Sequence, residues 1–367
     1  MIAPSPSTTL MIAGGGTGGH IYPAIAIAQE YKGRDPKRQV VFVGTEYGLE
    51  KTLVPKAGFP LEFVSVRGLK GKGIGETLLN ILRLPKGFID AWLLLTKYLP
   101  AAVIGVGGYA SGPVLLVAAL RGFPTLIDEQ NAFPGLTNRL LAKVVKQVAV
   151  GFPEALPRLG REGVVTGNPV RREFFDFKRA GGEGGSERQR LLVFGGSQGS
   201  KILNDAMTGA LLFLAHLKDR LEIVHQTGPA NLAEVQKAYI ASAFSGSRVV
   251  PYLDPIVTEI GNADLVVSRS GAMTIGELAA LGKAAVLVPF ARATNNHQEL
   301  NARAVEAVGG AVVITESELT PERLAGAIST ILSESGRSIR MGEGARRLAA
   351  PDAGRKIVDL IELIQRN

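Results

Sequence analysis

The sequence predicts an α/β protein of two domains, each a doubly wound parallel sheet, and three observations carry that expectation. The chain is 367 residues long, enough to build two separate cores. Short apolar runs rich in β-branched residues alternate with longer helical patterns along its whole length, as in βαβ units. Both halves also open on the same plan. Thr9-Leu-Met-Ile-Ala-Gly-Gly-Gly-Thr-Gly-Gly-His20 and Leu191-Leu-Val-Phe-Gly-Gly-Ser-Gln-Gly-Ser200 each read as strand, glycine loop and helix, the first helix starting near Ile21.

Strands are expected at 8–13, 40–43, 61–66, 102–105 and 125–128 in the first half. In the second half they are expected at 191–194, 221–225, 248–252, 264–267 and 284–289. These runs are continuously apolar rather than alternating, the pattern of parallel strands covered on both faces. The two Rossmann-like domains are expected at 1–167 and 168–351. The break follows Gly167-Asn-Pro-Val170 and leads into Gly181-Gly-Glu-Gly-Gly-Ser186, too glycine-rich to pack. A last helix, over 353–365 within a tail of 352–367, follows Pro351 and is expected to return to the first domain.

Composition narrows the function classes. Apolar residues at 46% and charged residues at 20% describe a folded globular chain. With no cysteine, a disulfide framework, a thiolate metal site and a cysteine nucleophile are excluded. The first residues lack the basic region of a signal peptide, and the most apolar stretch, 88–106, is interrupted by Asp90, Lys97 and Pro100. A cytoplasmic protein is therefore expected. The net charge of +8 is uneven: 18 Lys+Arg stand against 11 Asp+Glu through residue 170, and 23 against 22 beyond it. The first half is the one expected to meet an anionic surface. No basic run interleaved with aromatics occurs, so nucleic acid is not expected as a partner.

Ligands of open α/β sheets bind at the carboxyl ends of strands, so the loops there matter most. Gly14, Gly16 and Gly19 match G-x-G-x-x-G, but the second strand ends Val43-Gly44-Thr45 without the ribose-binding acid of a dehydrogenase. No G-x-x-x-x-G-K-[ST] motif occurs. With Gly105-Val-Gly-Gly-Tyr-Ala-Ser-Gly112 and Gly195-Gly-Ser-Gln-Gly199, three glycine loops follow strands, as suits a pyrophosphate and a second phosphorylated ligand. Ser268-Arg-Ser-Gly-Ala-Met-Thr-Ile-Gly-Glu277 admits two accounts. Thr274 and Glu277 have the spacing of a capping box, or Glu277 accepts two hydroxyls of a ribose while the amides near Ala272 and Met273 face a phosphate. Downstream, Pro289-Phe-Ala-Arg-Ala-Thr-Asn-Asn-His-Gln-Glu-Leu-Asn301 gathers amide and imidazole groups that suit sugar hydroxyls, or a polar helix cap.

Together these segments resemble one family. Gly14–His20, Gly107-Gly-Tyr-Ala-Ser-Gly-Pro113, Glu129-Gln-Asn131 with Gly135-Leu-Thr-Asn138, and Gly167-Asn-Pro-Val-Arg171 are similar, in order, to motifs of the MurG family of peptidoglycan N-acetylglucosaminyltransferases. So are Gly195–Gly199, Arg269-Ser-Gly271 through Glu277, and His297-Gln298 with Asn301. The resemblance implies a GT-B architecture, two Rossmann-like domains facing across a cleft. It implies inverting transfer of N-acetylglucosamine from UDP-N-acetylglucosamine to undecaprenyl-pyrophosphoryl-MurNAc-pentapeptide (lipid I), forming lipid II without a cofactor. The place would be the cytoplasmic face of the inner membrane, peripherally bound.

Carried over by motif, Ser197 would meet the diphosphate, and Ala272, Met273, Thr274 and Glu277 the phosphate and ribose. The backbone near Tyr252 and Leu253 would hold uracil, and Gln298 the sugar. Arg171, at the hinge, would also contact the nucleotide-sugar, with Thr17, Gly18, Gly19 and Asn131 closing over it from the first domain. The chain departs from the family pattern at Asp128, where that pattern has a histidine.

Such a transfer needs a base for the attacking hydroxyl and stabilisation of the departing UDP. No D-x-D pair is present to hold the diphosphate through a metal. His20 is the first candidate base and Glu129 the second. Arg67, Lys70, Lys72, Arg83, Lys86 and Lys97 surround Ile74, Leu78, Leu79, Ile81, Leu82, Leu84, Phe88, Ile89, Trp92 and Leu93–Leu95, a pattern suited to an anionic membrane face. The glycine tracts 14–19 and 105–112 are expected to receive the acceptor pyrophosphate. Rivals on the same fold are a UDP-N-acetylglucosamine 2-epimerase and a diacylglycerol glycosyltransferase. A non-catalytic nucleotide-sugar-binding subunit is a third.

Overall fold

A computed structural model describes residues 8–66, 74–179 and 188–366, and for 74–84 and Thr294 the backbone alone. The expected linker 181–186 and the basic residues Arg67, Lys70 and Lys72 lie outside the described residues. The chain forms two compact units. One ends at Arg171 and takes in the chain again from Ala350; the other runs from Arg172 to Ala349.

In chain order the first unit contains β1 (Thr9–Ala13), α1 (Gly18–Gly33), β2 (Gln39–Gly44), α2 (Glu50–Lys56), β3 (Leu61–Phe63), α3 (Ile74–Tyr98) and β4 (Ala102–Gly105). It continues with α4 (Ser111–Leu120), β5 (Thr125–Glu129), α5 (Leu136–Leu141), β6 (Gln147–Val150), α6 (Ala155–Leu159) and β7 (Val164–Val165). The second unit contains α7 (Glu173–Asp176), β8 (Gln189–Phe194), α8 (Lys201–Leu214), β9 (Leu221–Gln226), α9 (Leu232–Ile240), β10 (Arg248–Val250) and α10 (Ile256–Asn262). It ends with β11 (Leu265–Ser268), α11 (Ala272–Leu281), β12 (Ala285–Leu287), α12 (His297–Ala307), β13 (Ala311–Val313), α13 (Pro321–Ser333) and α14 (Arg337–Arg346). The last helix, α15 (Ala353–Arg366), belongs to the first unit.

Every strand pairing is parallel, in the orders β3-β2-β1-β4-β5-β6-β7 and β10-β9-β8-β11-β12-β13. This is the doubly wound class the apolar runs predict. Alternate residues of β1 show why those runs are continuous. Met11 and Ala13 join one core, Leu10 and Ile12 the other, so both faces of the strand are covered. The amphipathic α15 completes the second of these cores with Ile357, Val358, Ile361 and Ile364. Its polar edge is pinned where Glu362 accepts from Arg34 and from Arg38, each at 2.9 Å.

Three strands lay outside the expectation: β6, β7 and β13. β7 has only two residues, one of them exposed, too little pattern to read, whereas β6 is as long as β4 and β11.

Candidate active site

The order of the first sheet reverses between β1 and β4, so the loops after these strands open side by side at its carboxyl edge. Their approach demands glycine. A Cβ on Gly108 (φ 84°) would lie 2.5 Å from the Gly15 carbonyl oxygen. The buried Ser111 hydroxyl ties the two strand ends, 2.7 Å from the Ala13 carbonyl and 2.9 Å from that of Gly107.

The first loop is clamped by a residue that sequence reasoning missed. Glu50, buried at the start of α2, accepts from the Gly16 N–H at 2.7 Å and from both the N–H and the hydroxyl of Thr45 at 2.9 Å. The Gly14 N–H is bonded to the Val43 carbonyl at 3.0 Å. The amides of Gly14 and Gly16 are thus engaged inside the protein, with a carboxylate against the loop. Of the tract 14–19, expected to receive the acceptor pyrophosphate, these two amides already have internal partners. The part suited to an anion is the start of α1, where Gly18 and Gly19 follow Thr17 and no side chain caps the helix.

That helix begins at Gly18, three residues earlier than expected, so His20 sits in its first turn rather than at the end of a loop. The His20 Nδ1 lies 3.1 Å from the Gly15 carbonyl oxygen. A carbonyl only accepts, so Nδ1 holds the proton and Nε2 the lone pair that a base requires. The ring packs against Gly107, where a Cβ would stand 2.9 Å from Nε2.

Glu129 is differently placed. One carboxylate oxygen accepts from the backbone and side-chain nitrogens of Asn131 at 3.0 and 3.1 Å, the other from Gly135 N–H at 3.0 Å and Asn138 Nδ2 at 2.9 Å. Four donors fill its acceptor positions. Glu129, expected as the alternative base, thus has both oxygens engaged on the loop that carries Asn131. Beside it, Asp128 is fully buried, and desolvation raises its carboxyl to about 7, against the Gln130 hydrogen bond that lowers it and with the Glu129 charge that raises it. Arg171, the last residue before the second unit, lies over the Tyr22 ring at 4.5 Å.

The second sheet repeats the arrangement. Its order reverses between β8 and β11, where Phe194 pairs with Ser268, so the Gly195–Gly199 loop and the Arg269–Gly271 loop start together. Ser197 is exposed there. Arg269, largely buried, joins the loops by donating to the Ser200 hydroxyl at 2.8 Å and pairing with Glu316 at 2.7 Å. Burial lowers the Arg269 guanidinium from its ordinary value, opposed by Glu316. Ser270 donates to the Gln298 carbonyl at 2.8 Å, and Gln298 Oε1 accepts from the Phe290 N–H at 3.0 Å. Asn301, fully buried, donates from Nδ2 to the Ser270 carbonyl at 3.4 Å.

The helix α11 bears on the capping-box account of Glu277. Its N-cap is Gly271, without a side-chain cap bond, so Ala272 and Met273 are its first two residues and Thr274 the third. A capping box would need Thr274 at the cap position. That account is overturned. Glu277 lies one turn further along and is 8% exposed. Leu253 is buried after an exposed Tyr252.

The comparisons with known proteins bear on the family and the fold. The chain matches the glycosyltransferase family 28 N-terminal domain over residues 10–150 and the C-terminal domain of the same family over 190–357. It is 47% identical over 360 residues to the UDP-N-acetylglucosamine–N-acetylmuramyl-(pentapeptide) pyrophosphoryl-undecaprenol N-acetylglucosamine transferase of Anaeromyxobacter sp. (strain K), covering 97% of this chain and 93% of that protein. The Myxococcus xanthus protein of the same description is 45% identical, with 96% and 91% covered. The crystal structure of Acinetobacter baumannii MurG superposes with a TM-score of 0.78 at 32% identity, covering 97% of this chain and 99% of that one. A UDP-N-acetylglucosamine 2-epimerase superposes at 0.67 with 14% identity over 96% and 95%, a likeness of fold alone. Two Rossmann-like units of the GT-B class, with ordered motifs and close relatives along nearly the whole length, make the chain a member of the MurG family within glycosyltransferase family 28.

Proposed function

We propose that this enzyme transfers N-acetylglucosamine, with inversion, from UDP-N-acetylglucosamine to lipid I, giving lipid II on the cytoplasmic face of the inner membrane. The observation that carries the proposal is the second switch point, where exposed Ser197 and the uncapped start of α11 stand on neighbouring strand ends. The amides of Ala272 and Met273 and the Ser197 loop take the diphosphate, Glu277 the ribose, Leu253 the uracil and Gln298 the sugar. Thr274 stands in the same first turn. Thr17, Gly18, Gly19, Asn131 and Arg171 serve the reaction from the first unit.

In the chemical step the His20 Nε2 takes the proton of the attacking hydroxyl as the new C–O bond forms at the anomeric carbon. UDP leaves with the electron pair of the bond that breaks, its charge offset by the α11 amino terminus. The outward residues of α3, Ile89, Trp92 and Leu93, with Lys86 and Lys97, hold the enzyme to an anionic membrane. No described helix is long and apolar enough to cross a membrane.

The test is transfer of radiolabel from UDP-N-acetylglucosamine to a short-chain lipid I analogue, with and without Glu277→Ala. Labelled lipid from the wild type, reduced at least about tenfold in the variant, is expected from the loss of a buried charged partner of the ribose. Donor consumption without labelled lipid would sink the assignment in favour of an epimerase.

A further inference from the structure

The loop after β8 rests on the turn after β9, and the two backbones touch. A Cβ on Gly199 (φ 73°) would stand 2.0 Å from the Thr227 carbonyl oxygen, and one on Gly228 (φ 76°) 2.1 Å from the Gln198 carbonyl oxygen. The position of Thr227 therefore sets the position of the Ser197 loop.

Thr227 is itself held by a buried chain of side chains from three elements. Its carbonyl accepts from Asn204 Nδ2 on α8 at 2.9 Å. The Asn204 Oδ1 lies 3.1 Å from His225 Nε2 on β9, and the His225 Nδ1 lies 3.1 Å from the Tyr239 hydroxyl on α9. All three side chains are at most 1% exposed. The polarity of this chain runs one way. The Thr227 carbonyl must accept, so Asn204 presents its oxygen to His225, Nε2 carries the imidazole proton, and Nδ1 accepts from the Tyr239 hydroxyl. Burial pushes the imidazole down to about 3 and raises the tyrosine hydroxyl, so both stay neutral. A neutral, buried network whose members are paired has a single arrangement, and it fixes whatever backbone it ends on.

We propose that His225 is a positioning residue for the nucleotide-sugar: acting through Asn204, it holds the Thr227–Gly228 turn on which the diphosphate-binding Gly195–Gly199 loop is seated. This rests on the assignment of that loop to the diphosphate. His225 touches no reacting atom, so its loss affects donor affinity and leaves the chemical step and the acceptor site alone.

The test is calorimetric binding of UDP-N-acetylglucosamine to the full chain, beside steady-state transfer to a short-chain lipid I analogue, for the wild type, His225→Phe and Asn204→Asp. The aspartate keeps the shape but cannot donate to Thr227. Each variant is expected to weaken donor binding about tenfold, the scale of one buried hydrogen bond left unmade. The kcat at saturating donor should stay within about threefold and the acceptor KM within about twofold. Loss of kcat at unchanged donor affinity, or unchanged binding in folded variants, overturns the proposal. A wild type that does not bind UDP-N-acetylglucosamine overturns the functional assignment, and this proposal with it. Should the two variants not fold, Tyr239→Phe removes only one donor and keeps the ring. There a loss of about threefold in affinity is expected, and unchanged affinity overturns the proposal.

Discussion

At Asp128 and His225 burial acts on groups of opposite charge type. Burial raises the Asp128 carboxyl to about 7, well above an ordinary carboxyl, because desolvation penalises its charge. Between about pH 4 and 7 the folded chain keeps that proton while the unfolded chain has lost it, so stability falls as pH rises, by up to ~1.4 kcal/mol per unit. His225, pushed down to about 3, acts the other way. Below about pH 6.5 the unfolded chain binds a proton that the folded chain refuses, so stability falls as pH drops toward 3. Where the windows overlap, between about pH 4 and 6.5, the two slopes oppose each other. Chemical denaturation of Asp128→Asn across pH 5 to 8 should therefore show a variant that gains on the wild type with rising pH. A constant difference would mean that Asp128 is ionised throughout. Neither behaviour was legible in the sequence. Asp128 stood out only as a departure from a family pattern, and the partners of His225 come from elements 14 and 21 residues away.

Elements were legible where they carry enough pattern. The central strands β1, β4, β8 and β11 read clearly because their apolar residues are buried on both faces. The edge strands β7 and β13 did not; two residues, one of them exposed, give β7 no period, while β13 is as long as β3, β10 and β12, which were read. The glycine loops were legible as loops, but not what holds them. Glu50 reaches Gly16 across 34 residues, a contact no local motif announces. The helix α15 is a stronger case, because its hydrophobic stripe was readable and its destination is fixed only by packing. Ile357, Val358, Ile361 and Ile364 fill the core that α1 and β1 share. Each buried aliphatic chain is worth about 1.5–3 kcal/mol, while the part-exposed ion pairs of Arg34 and Arg38 with Glu362 are each worth about 0–1 kcal/mol. Ending the chain at Pro351 should leave the first unit protease-sensitive while the second stays folded. Glu362→Ala should lower the melting temperature by only a few degrees, about 1 kcal/mol or less. Limited proteolysis with mass spectrometry tests this, and a truncated chain with an intact first unit would show that α15 is dispensable.

At the scale of the molecule, the excess of positive charge lies in the first half of the chain, +7 through residue 170 against +1 beyond it, and so does the outward apolar face of α3. The sequence showed the charge imbalance plainly but could not divide the apolar residues of α3 into inner and outer sets. Packing does so: Ala91 and Leu95 are fully buried, whereas Ile89, Trp92 and Leu93 are more than half exposed. Beside them Arg121 lies over the Trp92 ring at 4.3 Å, and Leu120, at the end of α4, is 77% exposed. An aromatic residue, aliphatic side chains and cations on one face suit the boundary between headgroups and acyl chains, where apolar burial and charge attraction add. The double substitution Trp92→Glu and Leu93→Glu removes two apolar anchors and adds two repelling charges without touching the core. Sedimentation with phosphatidylglycerol vesicles should show at least about tenfold weaker binding for the double variant. Wild-type binding should itself weaken as salt rises from about 0.05 to 0.5 M, because screening shortens the reach of the basic residues. Transfer to a short-chain, water-soluble acceptor should stay within about twofold, since no residue assigned to donor or base is altered. Equal vesicle binding by variant and wild type would move the membrane contact off this face. Loss of soluble-acceptor transfer with vesicle binding intact would instead make the patch part of the acceptor site.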